Sequence, residues 1–220
     1  MAASPSWLRV RHRFAIALLV LAPILGFAWS CLVPIFRGSM DIEVAGIAAH
    51  RSAFVAGTYL GILMSFAMIP AALAWGRLLR RAAPVGGDVA SALCATGACF
   101  HGGVLVFQMA ESSLVAGIPD RAAALTAVNH LFDTSAFMLV LMPFWFFYIG
   151  LAALAVILAV RKAGPRWVAA VVLLAIVIEL ATPIPFKARL MFALLIPCFA
   201  AVAREVWRVG PQEWSARASA

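Results

Sequence analysis

The sequence predicts an all-α polytopic membrane protein of six transmembrane helices, with both termini on the cytoplasmic side. Three observations carry that expectation. Hydrophobic residues make up 65% of the 220 positions and charged residues only 12%, against roughly 45–50% and about 25% in a soluble domain. The mean hydropathy is +1.02. Finally, the apolar residues fall in runs long enough to cross a bilayer, with basic residues gathered between alternate runs. So few charges cannot cover a water-facing surface, which excludes an ordinary soluble enzyme, a disordered chain and a free nucleic-acid-binding domain.

The runs read as one integral membrane domain over residues 1–220, with spans at 14–36, 53–76, 89–110, 135–160, 167–182 and 188–203. The first follows Arg9, Arg11 and Arg13 and continues without a break, longer than the 7–15-residue apolar region of a secretory signal. It therefore reads as an uncleaved span. Its successor carries Ala53, Gly57, Gly61 and Ser65 at i+4 intervals, and the third span carries Ser91, Ala95, Ala98 and Gly102. Such ladders let helix backbones approach closely, and packing within the bundle is the expected use. Pro23, Pro70, Pro143 and Pro197 lie in or near spans one, two, four and six, where each removes a backbone donor and can bend its helix. The last two spans are short, and the basic side chains of Lys187, Arg189 and Arg204 can snorkel to extend them. Between spans three and four, Ile118-Pro119-Asp120 reads as a turn with Asp120 capping a helix that starts at Arg121.

Charge placement sets the orientation. With the N-terminus inside, twelve of the 17 basic residues fall in cytoplasmic segments: Arg9, Arg11, Arg13, Arg77, Arg80, Arg81, Arg161, Lys162, Arg166, Arg204, Arg208 and Arg217. Arg37, Arg51, Arg121, Lys187 and Arg189 are outside. Each inner segment outnumbers its outer neighbour, as the positive-inside rule requires. The net charge of +8 thus reports topology, with the lipid bilayer as partner and no nucleic acid. Arg outnumbers Lys heavily and Ala is abundant, pointing to a GC-rich bacterial genome and a bacterial inner membrane. A homo-oligomer and a larger membrane complex both remain open. The four cysteines, Cys31, Cys94, Cys99 and Cys198, all sit in apolar runs and read as packing residues.

Ionisable residues inside a membrane span are costly and mark candidate sites. Cys94, His101 and Gln108 recur every seven residues, forming one stripe of span three, and Glu111 follows near its outer end. His130 and Asp133, three apart, share a face at the entrance to span four. Glu179 lies near the outer end of span five, and His50 opens span two. The expected site is an outward-facing polar cavity that binds or conducts a small solute, ion or proton, with His101 and Gln108 lining it and Glu111, His130, Asp133 and Glu179 at its mouth. Each residue has an ordinary alternative: a helix-end hydrogen bond for His130 with Asp133, a solvated interfacial position for Glu111, an ion pair with Lys187 or Arg189 for Glu179, and a backbone contact for His101.

A second class of function is a membrane-embedded enzyme acting on a lipid or isoprenoid, with Glu111, Asp133 or Glu179 as the acid and the Phe144-Trp145-Phe146-Phe147-Tyr148 run supplying ring faces for a cation. Trp145 and Tyr148 are expected toward the cytoplasmic half, away from the acids. A third is a non-catalytic subunit of a membrane complex. No cofactor is predicted. A metal would draw on His50, Glu111, His130 and Asp133, which lack H-E-x-x-H or H-x-x-H spacing. A haem held by His101 and His130 would have to tilt to meet ligands at different depths. Nucleophile-elbow, Walker, dinucleotide-binding and C-x-x-C signatures are absent.

Overall fold

The computed structural model describes residues 5–33, 40–181 and 186–216. The expected end of span one at Phe36, Arg37, the segment 182–185 and Arg217 lie outside the described residues. Ten helices and no strand are present among the described residues: α1 (Pro5–Leu32), α2 (Met40–Ala49), α3 (Arg51–Leu79), α4 (Pro84–Gly117), α5 (Arg121–Phe132), α6 (Ser135–Phe144), α7 (Phe146–Val160), α8 (Trp167–Ala181), α9 (Lys187–Val209) and α10 (Pro211–Ala216).

Five segments are long and apolar enough to cross a membrane: Ser6–Leu32, Arg51–Leu79, Pro84–Gly117, Ser135–Val160 and Lys187–Val209. The chain is thus a helical protein of multi-pass membrane character. The expected sixth, α8, has 15 residues, or about 22 Å of helix, short of the roughly 30 Å hydrocarbon core. Large apolar side chains cover the outside of the bundle, with Phe66 64% and Leu139 72% exposed. A surface of this kind suits lipid and not water.

Several boundaries differ from the expected ones. α3 and α4 run past both ends of their apolar runs, because nothing in the flanking residues stops a helix before the Arg80–Ala83 turn or the Ile118-Pro119 corner. Asp120 caps α5 as expected, its carboxylate accepting from Ala122 N at 3.2 Å. α5 does not run into the fourth span: the chain breaks at Asp133, and Thr134 Oγ1 accepts from Phe137 N to start α6. Of the four intrahelical prolines only Pro143 coincides with an interruption, at Trp145 between α6 and α7; Pro23, Pro70 and Pro197 sit inside continuous helices.

Close backbone crossings hold the helices together. A Cβ at Gly97 on α4 would land on the Phe147 backbone of α7, and one at Gly150 on α7 would meet Cys94 N and Ala90 O of α4. On α3, Gly57 lies against Leu32 and Val33, Gly61 against Trp29 and Leu105, and Gly76 against Ser91 and Gly87. The small-residue ladders are therefore spent within the bundle. Beneath these crossings lies a core in which the Trp75 and Phe199 rings meet edge to face at 5.3 Å, packed with Leu151, Leu154 and Val172, all fully buried. Cys94 and Cys198 belong to this core, whereas Cys31 and Cys99 are exposed; all four are free thiols.

Polar contacts concentrate at the two ends. At one, where α1 begins and α3, α7 and α9 finish, Arg81 pairs with Glu213 at 2.6 Å, Arg80 with Asp88 at 2.8 Å and Arg208 with Glu205 at 2.8 Å. α10 is anchored there by Trp214, 4% exposed. The Arg77 guanidinium lies 4.3 Å from its ring centre and His12 meets it edge-on at 5.7 Å. At the other end Arg121 pairs with Asp41 at 2.9 Å, and Arg189 Nε donates to Ser30 O at 2.9 Å.

Candidate functional site

A cavity of about 140 Å³ opens among α1, α3, α4, α6, α7, α8 and α9. His101 comes from the middle of α4, Ser65 from α3 and Trp29 from α1. Phe144, Phe147 and Tyr148 flank the Pro143 interruption between α6 and α7, and Glu179 sits two residues before the end of α8. α9 closes the wall with Ala188, Met191 and Phe192. The i, i+3, i+4 spacing of these three aromatic residues places them on one side. The lining is mainly apolar, and its ionisable members are His101, Glu179 and Tyr148.

The aromatic rings contact one another around the histidine. Trp29 and His101 meet edge to face at 5.5 Å, Phe144 lies 5.2 Å from His101, Phe144 and Tyr148 are 5.3 Å apart, and Trp29 reaches Phe192 at 6.0 Å. Ring pairs at these separations are favourable and fix one another's orientation.

Hydrogen bonding fixes the histidine as well. Ser65 Oγ donates to Gly61 O one turn earlier at 2.9 Å, and the same oxygen lies 2.8 Å from His101 Nδ1. A hydroxyl has one proton and two lone pairs. When that proton is on Gly61 O, Ser65 accepts from His101, so that Nδ1 carries the imidazole proton and Nε2 keeps its lone pair. Glu179 is less satisfied. Its Oε2 is buried with no hydrogen-bond partner, and the nearby Lys187 Nζ donates at 2.7 Å to the Glu179 main-chain carbonyl. Trp29 Nε1 is likewise buried and unpaired.

The six residues expected at one site are divided among three places. His101 and Glu179, from different expected spans, line the same cavity. Gln108 and Glu111 do not. Glu111 is fully buried, with both carboxylate oxygens unpartnered, and Gln108 Oε1 is buried and unpartnered too. Glu111, expected at the mouth of the outward-facing cavity or else solvated at the interface, is instead carried into the interior because α4 stays helical to Gly117. There it interacts electrostatically with Glu43, whose own carboxyl is pushed above its ordinary pKa by burial. His130 and Asp133 are exposed on α5 and at its end, because Ala124 and Val128 form the buried stripe of that helix. His50, exposed, precedes α3.

Among the described residues no group of three or more His, Cys, Asp or Glu side chains is placed to hold a metal ion, so His50, Glu111, His130 and Asp133 do not form a common ligand set. His101 and His130 are not brought to one haem either: one lines the cavity and the other is on the outer face of α5.

Tyr148 departs from expectation in the opposite direction. It shares the cavity with Glu179 and lies close enough to interact with it electrostatically. Trp29, Ser65 and Phe192 are lining residues that no ionisable or stripe signal in the sequence marks. Ser65 could have been found by combining its position on the α3 ladder with the facing Gly102 of α4.

Comparison with family models, curated proteins and solved structures finds no match for this chain. The reading of the site therefore rests on its geometry.

Proposed function

We propose that this is a six-pass protein of a bacterial inner membrane, with both termini cytoplasmic, that binds a small and largely apolar solute in the cavity beside His101. The observation that carries the reading is the meeting of His101 and Glu179, on separate helices, in one aromatic-walled cavity of about 140 Å³. A space of roughly 150 Å³ holds a molecule the size of benzene, and small-ligand sites combine apolar walls with a few convergent polar groups. Binding is favoured over open conduction, since the interior toward the Arg80–Arg81 end is filled by Trp75, Phe199, Leu151 and Leu154, all buried to within 1%.

The basic residues at the end where α3, α7 and α9 finish support an inner location for that end. The sixth pass is α8, which connects α7 at the basic end to α9 at the end carrying Lys187 and Arg189.

The test is thermal unfolding of the full chain in lipid nanodiscs with three benzene-sized probes: benzyl alcohol, benzylamine and benzoate. At least one probe raises the unfolding temperature in a saturable way, and Ala188→Phe, which places a ring in the cavity mouth, abolishes the effect. If none of the three stabilises the wild type, or the shift survives Ala188→Phe, the reading fails.

A second reading, an enzyme acting on a lipid or isoprenoid, is favoured by the presence of Glu179, Tyr148 and His101 around the same space, where a carboxyl and an imidazole could move protons. Lipid extracts of a deletion strain that differ from the parent by a specific precursor and product pair support it; matching extracts remove it.

A further inference from the structure

Resting on the proposal that the cavity binds a small solute, the arrangement of its polar atoms specifies what the solute carries. We infer that the ligand is a small organic amine, bound as its ammonium with the nitrogen between Glu179 and His101 and its hydrocarbon part among the aromatic rings.

The acceptors come first. With the Ser65 proton on Gly61 O, the serine oxygen takes the Nδ1 proton of His101. The histidine therefore offers an acceptor lone pair at Nε2, and its ring lines the cavity. Glu179 lines the same cavity, with Oε2 buried and unpartnered. A buried acceptor left unmade is costly, and an ionised carboxylate in the bundle needs a cation. Among the described residues no basic side chain forms an ion pair with Glu179. Lys187 lies close enough to act on the carboxyl electrostatically, but its ammonium donates to the main-chain carbonyl and leaves Oε2 without a hydrogen-bond donor. An ammonium group, with three donors and one charge, answers both acceptors at once.

The walls fit the rest. Trp29, Phe144, Tyr148 and Phe192 line the cavity, and aromatic faces attract an ammonium and the carbons next to it. An alcohol would satisfy one acceptor and bring no charge to the carboxylate. A carboxylic acid would bring a second negative charge beside Glu179. The volume, close to that which holds benzene, limits the hydrocarbon part to about one ring or a short branched chain.

The experiment compares matched probes by titration calorimetry on the full chain in nanodiscs, with empty nanodiscs as blank. Benzylamine is expected to bind at least about ten-fold tighter than benzyl alcohol, with benzoate weakest, as a hydrogen bond to a charged group implies. Glu179→Gln is expected to remove that preference. Benzyl alcohol binding as well as benzylamine to the wild type overturns the inference and leaves the cavity proposal standing. Benzylamine preferred equally by wild type and Glu179→Gln also overturns it, because the charge must then lie elsewhere. No binding by any probe overturns both. The wild-type comparison decides the matter even if Glu179→Gln does not fold.

Discussion

His101 and Ser65 share a 2.8 Å contact between α4 and α3 in which the serine accepts when its proton is on Gly61 O. This one relationship sets the tautomer of the deepest titratable residue singled out in the sequence. It predicts that nitrogen-15 NMR of histidine-labelled protein at neutral pH shows His101 with Nδ1 protonated and Nε2 bare. In Ser65→Ala the imidazole loses its partner, the resonance shifts toward a mixture of tautomers, and stability falls by about 1–3 kcal/mol, the cost of an unmet buried donor. An Nε2-protonated imidazole in the wild type contradicts the assignment.

The crossing of α4 and α7 predicts a sharp contrast among glycines. A Cβ at Gly97 or Gly150 would meet the backbone of the opposing helix, whereas one at Gly102 would sit 3.5 Å from Ser65 Cβ, an ordinary contact. Gly97→Ala and Gly150→Ala therefore separate the helices and cost about 1–3 kcal/mol or more. Gly102→Ala is neutral or stabilising by up to about 1 kcal/mol, through the helix preference of alanine over glycine. Unfolding in mixed micelles distinguishes them; equal effects at all three positions contradict the crossing.

Trp214 is the pin of the basic end. Its ring is buried beneath Arg77 and against His12, and its Nε1 has no partner. Trp214→Ala is expected to destabilise by about 3–5 kcal/mol as a large buried ring is lost. Trp214→Phe keeps an aromatic face for Arg77, abandons no hydrogen bond, and costs less than about 1.5 kcal/mol. A loss in Trp214→Phe as large as in Trp214→Ala shows that the indole nitrogen matters and that this account of the anchor is wrong.

Glu43 predicts a pH dependence at the opposite end. Burial raises its folded-state pKa above the unfolded value, so the folded state binds the proton more tightly. The contribution is fully present below the unfolded pKa and is lost as pH rises through the folded one. Glu111, close enough to interact, has no hydrogen-bond partner on its carboxylate among the described residues. Thermal stability of the wild type relative to Glu43→Gln is thus highest in acid and declines as the pH rises through the folded Glu43 pKa. A difference that grows with pH has the wrong sign for this environment.

Much of the architecture was legible in the amino-acid sequence because bilayer burial imposes a coarse, long-period signal. Residues 53–76 and 89–110 lie well inside α3 and α4, and the Asp120 cap sits where its turn predicted. What was less legible has physical causes. The helical continuation of α4 beyond Ala110 has no apolar signature, so Glu111 read as a boundary residue although it is fully buried. The exposure of His130 and Asp133 depends on which face of α5 docks, set by Ala124 and Val128 rather than by the polar pair. The depth of Glu179 depends on α8 being short, and a hydropathy window cannot say how that helix is offset against α7. His101 was legible from its place inside a span and on the stripe with Cys94 and Gln108. Its neighbours Trp29, Ser65 and Phe192 come from helices whose relative rotation is a matter of packing.

The central claim is that a small solute occupies the space beside His101, and photolabelling tests it most directly. A benzyl-sized probe bearing a diazirine is irradiated with the protein in nanodiscs, and the adducts are mapped by mass spectrometry. The account predicts adducts concentrated on cavity residues such as Trp29, Phe144 and Met191, competed away by excess unlabelled benzylamine. Adducts spread over the outward apolar surface at Phe66 and Leu139, with no competition, would show that these probes meet only the lipid-facing side and would contradict the proposed site.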